Sequence, residues 1–428
     1  MNFHSLLTPS IERSFSAAVI EGLAPDRGLY YPNEIPQLPE EMWLEDSEGE
    51  CWSLASNLIE PFTQEQLTKS ELQGLMKSAL NFPIELVELE NGLYVLELFH
   101  GPTAAFKDVG ARSMARFLGA FSDRRLTVLV ATSGDTGSAV AQGFLNVPGI
   151  DVVILYPSGR ISHIQEQQLT TAGANVTALE VQGNFDDCQR MVKEAFLDAQ
   201  LQEKRALTSA NSINLARWIP QASYYAWATY LLGEGAHFVV PSGNLGNLAA
   251  GVLAHQMGMP ATGFTAASNA NDVVPEYLRT GTFTARPTVA TLSNAMDVGD
   301  PSNRPRLEAL YGNDFEALQR SVEGYTADDA ATTQAMRDAW ERYEYLACPH
   351  TAIGIAAAQE VLARKGGPVV ALATAHPAKF GEAVHAATSI EPEVPESLKE
   401  CLQREKVSTV IEPTIAALRA YLLETAAD

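Results

Sequence analysis

From about residue 93 onward the chain alternates short, continuously apolar runs with helical stretches, and no other feature of the sequence constrains its fold as much. The runs are "LYVLELF", "LTVLVA", "DVVILYP", "NVTALEV" and "HFVVP", followed by "ATGFTAAS" and "PVVALAT". A strand that is apolar along its whole length has no solvated face, so it belongs to a sheet covered on both sides. With helices between the strands, the units are parallel βαβ crossovers of right-handed sense, and the fold class is α/β. The stretch from about Ser302 to Tyr345 is more polar and continuously helical, which predicts an insertion or covering layer rather than sheet. Residues 1–90 differ again: turn-rich "APDRGLYYPNEIPQLPEE" precedes polar segments such as "TQEQLTKSELQGLMKSAL". That texture predicts a mainly helical first unit over 1–90, with the α/β region occupying 91–428. Beyond Thr388, Pro392, Pro395 and Pro413 punctuate further helical pieces.

Charge narrows the classes of ligand. Acidic residues outnumber basic ones 52 to 29, for a net charge of -23, which disfavours non-specific attraction to nucleic acid or an anionic membrane. An anionic substrate must then be gathered by local donors against the global field. The start "MNFHSLLTPSIERSF" lacks a basic segment followed by a long apolar core, and no later run approaches the roughly 20 apolar residues that span a bilayer. A cytoplasmic protein is expected. Cys51, Cys188, Cys348 and Cys401 stand far apart and read as reduced thiols, and the eight histidines show no paired metal-ligand spacing.

Ligands of open α/β sheets sit at the C-terminal ends of strands, and several of those ends are polar here. After "LTVLVA" comes "TSGDTGSAVAQGF", where Ser133, Asp135 and Thr136 open a helix whose N-terminus favours an anion. The same residues also read as a plain tight turn capped by Asp135 or Thr136. After "HFVVP", the residues Ser242, Gly243, Asn244, Leu245, Gly246 and Asn247 precede a helix of small residues. Two glycines let that backbone curl around a ligand, and successive amides can cradle phosphate oxygens. The loop lacks the Gly-Lys-Ser/Thr of a nucleotide site and the spacing of a dinucleotide site, so its phosphate belongs to something other than ATP or NAD. "TSANSINLARW" gathers Asn211, Ser212, Asn214 and Arg217, a guanidinium among neutral donors that suits phosphate or carboxylate unless Arg217 merely faces solvent. "ALATAHPAKF" ends a strand with Thr374 and His376; His376, like His100, reads more simply as a structural histidine.

One lysine ties these together. Lys107, in "HGPTAAFKDVGARS", is the only lysine between Lys77 and Lys193 in a chain with nine. Taken alone it reads as a solvated lysine at a helix start. Among small apolar neighbours it reads instead as a desolvated amine whose neutral, nucleophilic form persists near neutral pH. A nucleophilic lysine together with a phosphate cup that has no magnesium machinery points to pyridoxal phosphate, whose aldehyde condenses with the amine while the cup holds its phosphate.

"FHGPTAAFKD", "ATSGDTG", "SANSIN", "PSGNLGN", "TLSNAMDVGDPSN" and "TAHPAKF" follow one another in an order and spacing that resemble the threonine synthases of the longer bacterial and fungal type. "SFSAAVIEGLAPDRGLYYP" extends the resemblance over nearly the whole chain. It implies a fold-type II pyridoxal-phosphate enzyme, tryptophan synthase β-like, with the cofactor between two parallel-sheet lobes. The implied reaction converts O-phospho-L-homoserine and water to L-threonine and phosphate, in a monomer or homodimer that binds neither nucleic acid nor membrane. By the same resemblance Lys107 would be the Schiff-base lysine, with Gly243, Asn244, Leu245, Gly246 and Asn247 around the cofactor phosphate. Thr374 would meet the pyridine nitrogen and Asp135 the ring hydroxyl. Ser133, Thr136, Asn211, Ser212 and Arg217 would serve the substrate's carboxylate and phosphate. Leu245 stands where many relatives have phenylalanine and Ala105 where leucine is common; neither change removes a functional group.

Overall fold

The computed structural model describes residues 1–44, 49–132 and 134–425. The N-terminal residues build a small antiparallel sheet from β1 (Asn2–Ser5), β2 (Glu12–Ser14) and β3 (Tyr30–Pro32) in the order β2-β1-β3. Against it lie the helices α1 (Phe15–Glu21), α2 (Cys51–Thr63) and α3 (Lys69–Ala79). Thr68 and Glu71 form a reciprocal capping box that starts α3 by satisfying two otherwise orphaned amides. At the other end of α3, Arg112 donates to the carbonyls of Ala79 (2.7 Å) and Ser78 (2.8 Å). A cation on the last carbonyls complements the helix dipole, and here it also docks the N-terminal unit onto the helix that carries Lys107.

The chain enters the larger sheet through the hairpin β4 (Glu85–Glu90) and β5 (Leu93–Glu97), turning at Gly92 with φ +82°. Helix α4 (Lys107–Phe121) then leads into the second sheet through β6 (Leu126–Ala131), helix α5 (Asp135–Phe144), β7 (Ile150–Pro157), β8 (Val176–Val181) and β9 (Ala206–Thr208). The chain returns with β10 (Ala236–Pro241), helix α6 (Gly246–Gln256), β11 (Ala261–Ser268), β12 (Val322–Thr326), helix α7 (Pro349–Lys365) and β13 (Val369–Ala373). Finally β14 (Thr409–Ile411) joins the second sheet. The six-stranded sheet runs β12-β11-β10-β13-β5-β4, parallel except at β4, and the five-stranded sheet β14-β8-β7-β6-β9 is parallel throughout. One lobe is thus inserted into the other between β5 and β10.

The α/β class and the two parallel-sheet lobes follow the apolar runs: every residue of β10 and of β13 is buried. One expectation fails. Within 302–345, Val322–Thr326 is an edge strand of the six-stranded sheet rather than part of a helical cover. Its sequence "VEGYT" buries only Val322, because an edge strand under few helices needs little apolar surface. The tail likewise contributes β14 besides helices, and the N-terminal unit adds its small sheet to its helices. None of the four cysteines is in a disulfide among the described residues. No helix among the described residues is long and apolar enough to cross a membrane.

Candidate active site

Strands β10, β13 and β5 are adjacent and parallel, so their C-terminal ends open onto one edge of the larger sheet. The segment after β5 crosses that edge to reach Lys107. Phe106 N donates to the Thr374 carbonyl (2.9 Å) and His376 N to the Ala104 carbonyl (3.0 Å), around an antiparallel bridge between Ala105 and Ala375. Lys107 is thereby anchored beside the end of β13. The turn before it is rigid: Asp108 accepts from Thr103 N (2.9 Å) and Thr103 Oγ1 (2.7 Å), and burial raises its carboxyl to about 6.

The end of β10 forms a cup. Leu245 takes a left-handed conformation (φ +60°), and α6 starts at Gly246 without a side-chain cap. The amides of Gly243 to Asn247 therefore have no acceptor among the described residues, as expected of a helix start awaiting an anion. A Cβ on Gly243 would lie 2.9 Å from Met296 Cα, so the close approach requires glycine. Asn247 Oδ1 accepts from Tyr224 OH (2.6 Å) and Tyr225 OH (2.7 Å), which orients its amide nitrogen as a buried donor with no partner among the described residues. The loop at Ser302 and Asn303 clamps the cup from outside. Ser302 N donates to Asn244 Oδ1 (2.5 Å), and the buried Asn303 gives Nδ2 to the Asn244 carbonyl (3.1 Å). Asn303 in turn accepts from Arg306 (2.9 Å), a fully buried guanidinium that also donates to the Tyr30 and Ile213 carbonyls and lies 4.4 Å over the Trp218 ring. This donor set, aimed inward with unspent N–H groups, fits the phosphate of pyridoxal phosphate.

Lys107 is 15% exposed, and its Nζ lies 3.8 Å from Asp135 Oδ2. Burial pushes the amine below the usual lysine range; Asp135 opposes the shift, and Lys379 and Arg217 add to it. Asp135 opens α5 as its first residue, behind the cap residue Gly134, which takes a φ of +136°. Asp135 is therefore no cap itself, and its carboxylate faces Lys379 (2.8 Å), Gln165 Nε2 (2.9 Å) and Lys107. Those two cations hold it far below the carboxylate range although burial works the other way. His350, buried near this cluster, is pushed down to about 4 by burial and so is neutral.

Lys107, Asp135 and Thr374 thus meet at one edge, with the cup on the neighbouring strand. Ser212 joins the cup, its Oγ accepting from Asn244 Nδ2 (2.7 Å). Asn211 flanks it half-buried, and Thr136 is half-buried on the first turn of α5. Arg217 is buried rather than solvent-facing: Nη1 donates to the Ala210 carbonyl (2.6 Å), Nε has no partner among the described residues, and burial lowers it to about 10. Ser133 lies outside the described residues. His376 caps the short turn after it, accepting from Ala378 N (3.2 Å), and His100 pairs with Glu97 (2.7 Å). The fold also gathers Glu85, Glu97 and His100 with ligand atoms within 4.8 Å, a grouping that linear spacing does not show. Glu97 is already held by His100 and the Tyr345 hydroxyl (2.9 Å). Lys379, Asn303, Tyr224 and Tyr225 were missed by the sequence reading, although Lys379 and Asn303 lie inside motifs quoted from it. Lys379 carried the same signal as Lys107, a scarce lysine among small and apolar residues.

Residues 80–375 match the model of the pyridoxal-phosphate dependent enzymes, while 5–80 and 351–422 match the N-terminal and C-terminal models of threonine synthase. The chain belongs to the threonine synthase family. It is 41% identical to the threonine synthase of Haemophilus influenzae over 430 residues, 99% of this chain and 100% of that one. The solved threonine synthase of Escherichia coli superposes with a TM-score of 0.92 at 38% identity, covering 99% of this chain and 100% of that one. The pyridoxal-phosphate-bound threonine synthase of Brucella melitensis reaches 0.94 at 34% identity, with both chains covered in full. Serine racemase of maize shares the fold alone, with a TM-score of 0.55 at 16% identity.

Proposed function

We propose that the chain converts O-phospho-L-homoserine and water to L-threonine and phosphate, with Lys107 as the lysine that carries pyridoxal phosphate. The observation that carries this reading is the desolvated Lys107 amine fixed beside Thr374, next to a cup of unspent amides on the adjacent strand. When bound, the cofactor supplies an electron sink for negative charge at the substrate's α-carbon. The amides of Gly243, Asn244, Leu245, Gly246 and Asn247 hold its phosphate. The Thr374 hydroxyl would serve as a neutral partner for its ring nitrogen, and Asp135 would meet its ring hydroxyl. Once released, the Lys107 amine moves protons at its Nζ, a task suited to a group kept below the usual lysine range. Arg217, with Asn211, Ser212, Ser133 and Thr136, takes the substrate's carboxylate and phosphate; a buried guanidinium with no carboxylate partner among the described residues suits an anion. Burial of the site keeps bulk water away from the Lys107 amine while it moves protons.

The proposal includes a division into an N-terminal unit, 1–90, and a catalytic region, 91–428, in a cytoplasmic monomer or homodimer. The decisive assay supplies O-phospho-L-homoserine and measures phosphate and L-threonine. Ammonia released from free threonine, with no phosphate from the phosphorylated substrate, would instead make the chain a dehydratase. Lys107→Ala is expected to abolish turnover and the cofactor adduct fixed by borohydride; retained activity would remove Lys107 from this role.

A further inference from the structure

We propose that Lys379 is a positioning residue that, through Asp135, sets the protonation state of Lys107; this rests on the reading of Lys107 as the cofactor-bearing lysine. Asp135 divides its two oxygens unequally. Oδ1 receives Lys379 Nζ at 2.8 Å and Gln165 Nε2 at 2.9 Å, whereas Oδ2 stands 3.8 Å from Lys107 Nζ. The carboxylate's close ionic partner is thus Lys379, and Lys107 is the distant one. The side chains of Lys379 and Asp135 are 0% and 4% exposed, so neither charge is screened by water. Lys379 also donates to the Thr103 carbonyl (2.9 Å), which fixes its ammonium on the segment that turns into Lys107.

Among the described residues, four charged or titratable groups bear on Lys107. Asp135 comes from α5, Lys379 from the turn after β13, Arg217 from the helix Leu215–Trp218, and the neutral His350 from α7. Were Asp135 opposed only by Lys107, its charge would hold that amine as an ammonium ion, which is no nucleophile. With Lys379 bound to it, the carboxylate is part of a pair of zero net charge. Burial, Lys379 and Arg217 then favour the free amine against the weakened pull of Asp135. The pair thereby gives the site a hydrogen-bonding oxygen while tempering the pull of its charge on the lysine.

The test uses the full chain loaded with pyridoxal phosphate, and reads the pH midpoint of its visible absorbance. After cofactor removal, it reads the pH midpoint of the rate at which Lys107 recaptures the cofactor. Lys379→Met leaves Asp135 uncompensated, so both midpoints are expected to rise by about one pH unit or more, tenfold in the protonation equilibrium. Asp135→Asn leaves Lys379 uncompensated and lowers them, and the double variant D135N/K379M returns them to within about half a unit of the parent. Should K379M fail to fold, the comparison of D135N with D135N/K379M still isolates the Lys379 charge. Midpoints that coincide in that comparison, or that do not move in K379M, overturn the proposal. Such a result leaves Lys107 as the cofactor lysine intact, since that rests on the adduct lost in Lys107→Ala; a purely structural Lys379 lowers stability without moving either midpoint.

Discussion

Asn303 offers a quantitative test of how the phosphate cup is held. Its side chain is fully buried and makes two good hydrogen bonds, accepting from Arg306 Nη1 at 2.9 Å and donating to the Asn244 carbonyl at 3.1 Å, besides a long, weak one from Nδ2 to Ser212 Oγ at 3.4 Å. Asn303→Ala deletes both, while the longer backbone contact from Asn303 N to the same carbonyl (3.3 Å) survives. A bond to a buried guanidinium is worth about 2 kcal/mol and a neutral one about 1 kcal/mol, so unfolding should become easier by about 3 kcal/mol. Only the neutral bond bears on the cup, which converts to a cofactor Kd weaker by roughly fivefold. Urea unfolding gives the first quantity, and titration of cofactor-free protein with pyridoxal phosphate gives the second. Asn303→Asp separates them: it keeps an acceptor for Arg306, recovering most of the stability, but turns an acceptor toward the Asn244 carbonyl and adds negative charge behind the cup. Its cofactor affinity should be at least as poor as that of Asn303→Ala. Unchanged cofactor affinity in both variants would show that the clamp does not hold the cup.

Gly134→Ala should cost about 2 kcal/mol or more in thermal unfolding, because φ is +136° and a Cβ would meet the Gln165 side chain at 2.4 Å; near-parent stability would refute that strain. Displacing Gln165 also removes a donor from Asp135, so cofactor binding should weaken in the same variant. His237, buried against Thr265 (2.8 Å), is pushed down to about 4. Its unfolded form takes up a proton near pH 6.5 while the folded form does not, so its contribution is intact above pH 6.5 and lost as pH falls toward 4. The loss amounts to about 3 kcal/mol, and His237→Gln should remove about one proton from the slope of stability against pH; an unaltered slope would contradict the assignment.

Much of this molecule was legible because its central strands are apolar along their entire length, and "HFVVP" or "PVVALAT" has no other place to go than a doubly covered sheet. The edges were not: "VEGYT" in β12 and "TVI" in β14 are short and largely solvated, so their strand character comes from the neighbour they pair with. The site divides the same way. The cup was readable because its glycines and asparagines are consecutive and follow a strand. The roles of Lys379 and Asn303 depend on Asp135, Asn244 and Arg306, contacts that the fold creates between distant segments. The burial of Arg217 was equally hidden, since a guanidinium on a short helix looks alike in sequence whether it faces solvent or the interior.

The pairing of β5 with β13 joins segments from the first and last quarters of the chain, with four of the second sheet's five strands, β6 to β9, looped out between them. During synthesis, Lys107 leaves the ribosome long before Thr374, and the strand that sets them side by side is among the last of the sheet to emerge. The inserted lobe can form β6 to β9 meanwhile, but its edge at β8 stays open until Thr409–Ile411 arrives. A nascent or prematurely ended chain therefore holds its reactive amine without the partners that would let it retain a cofactor. Competence arrives late and nearly all at once, which makes turnover a sensitive report of whether a chain has been finished.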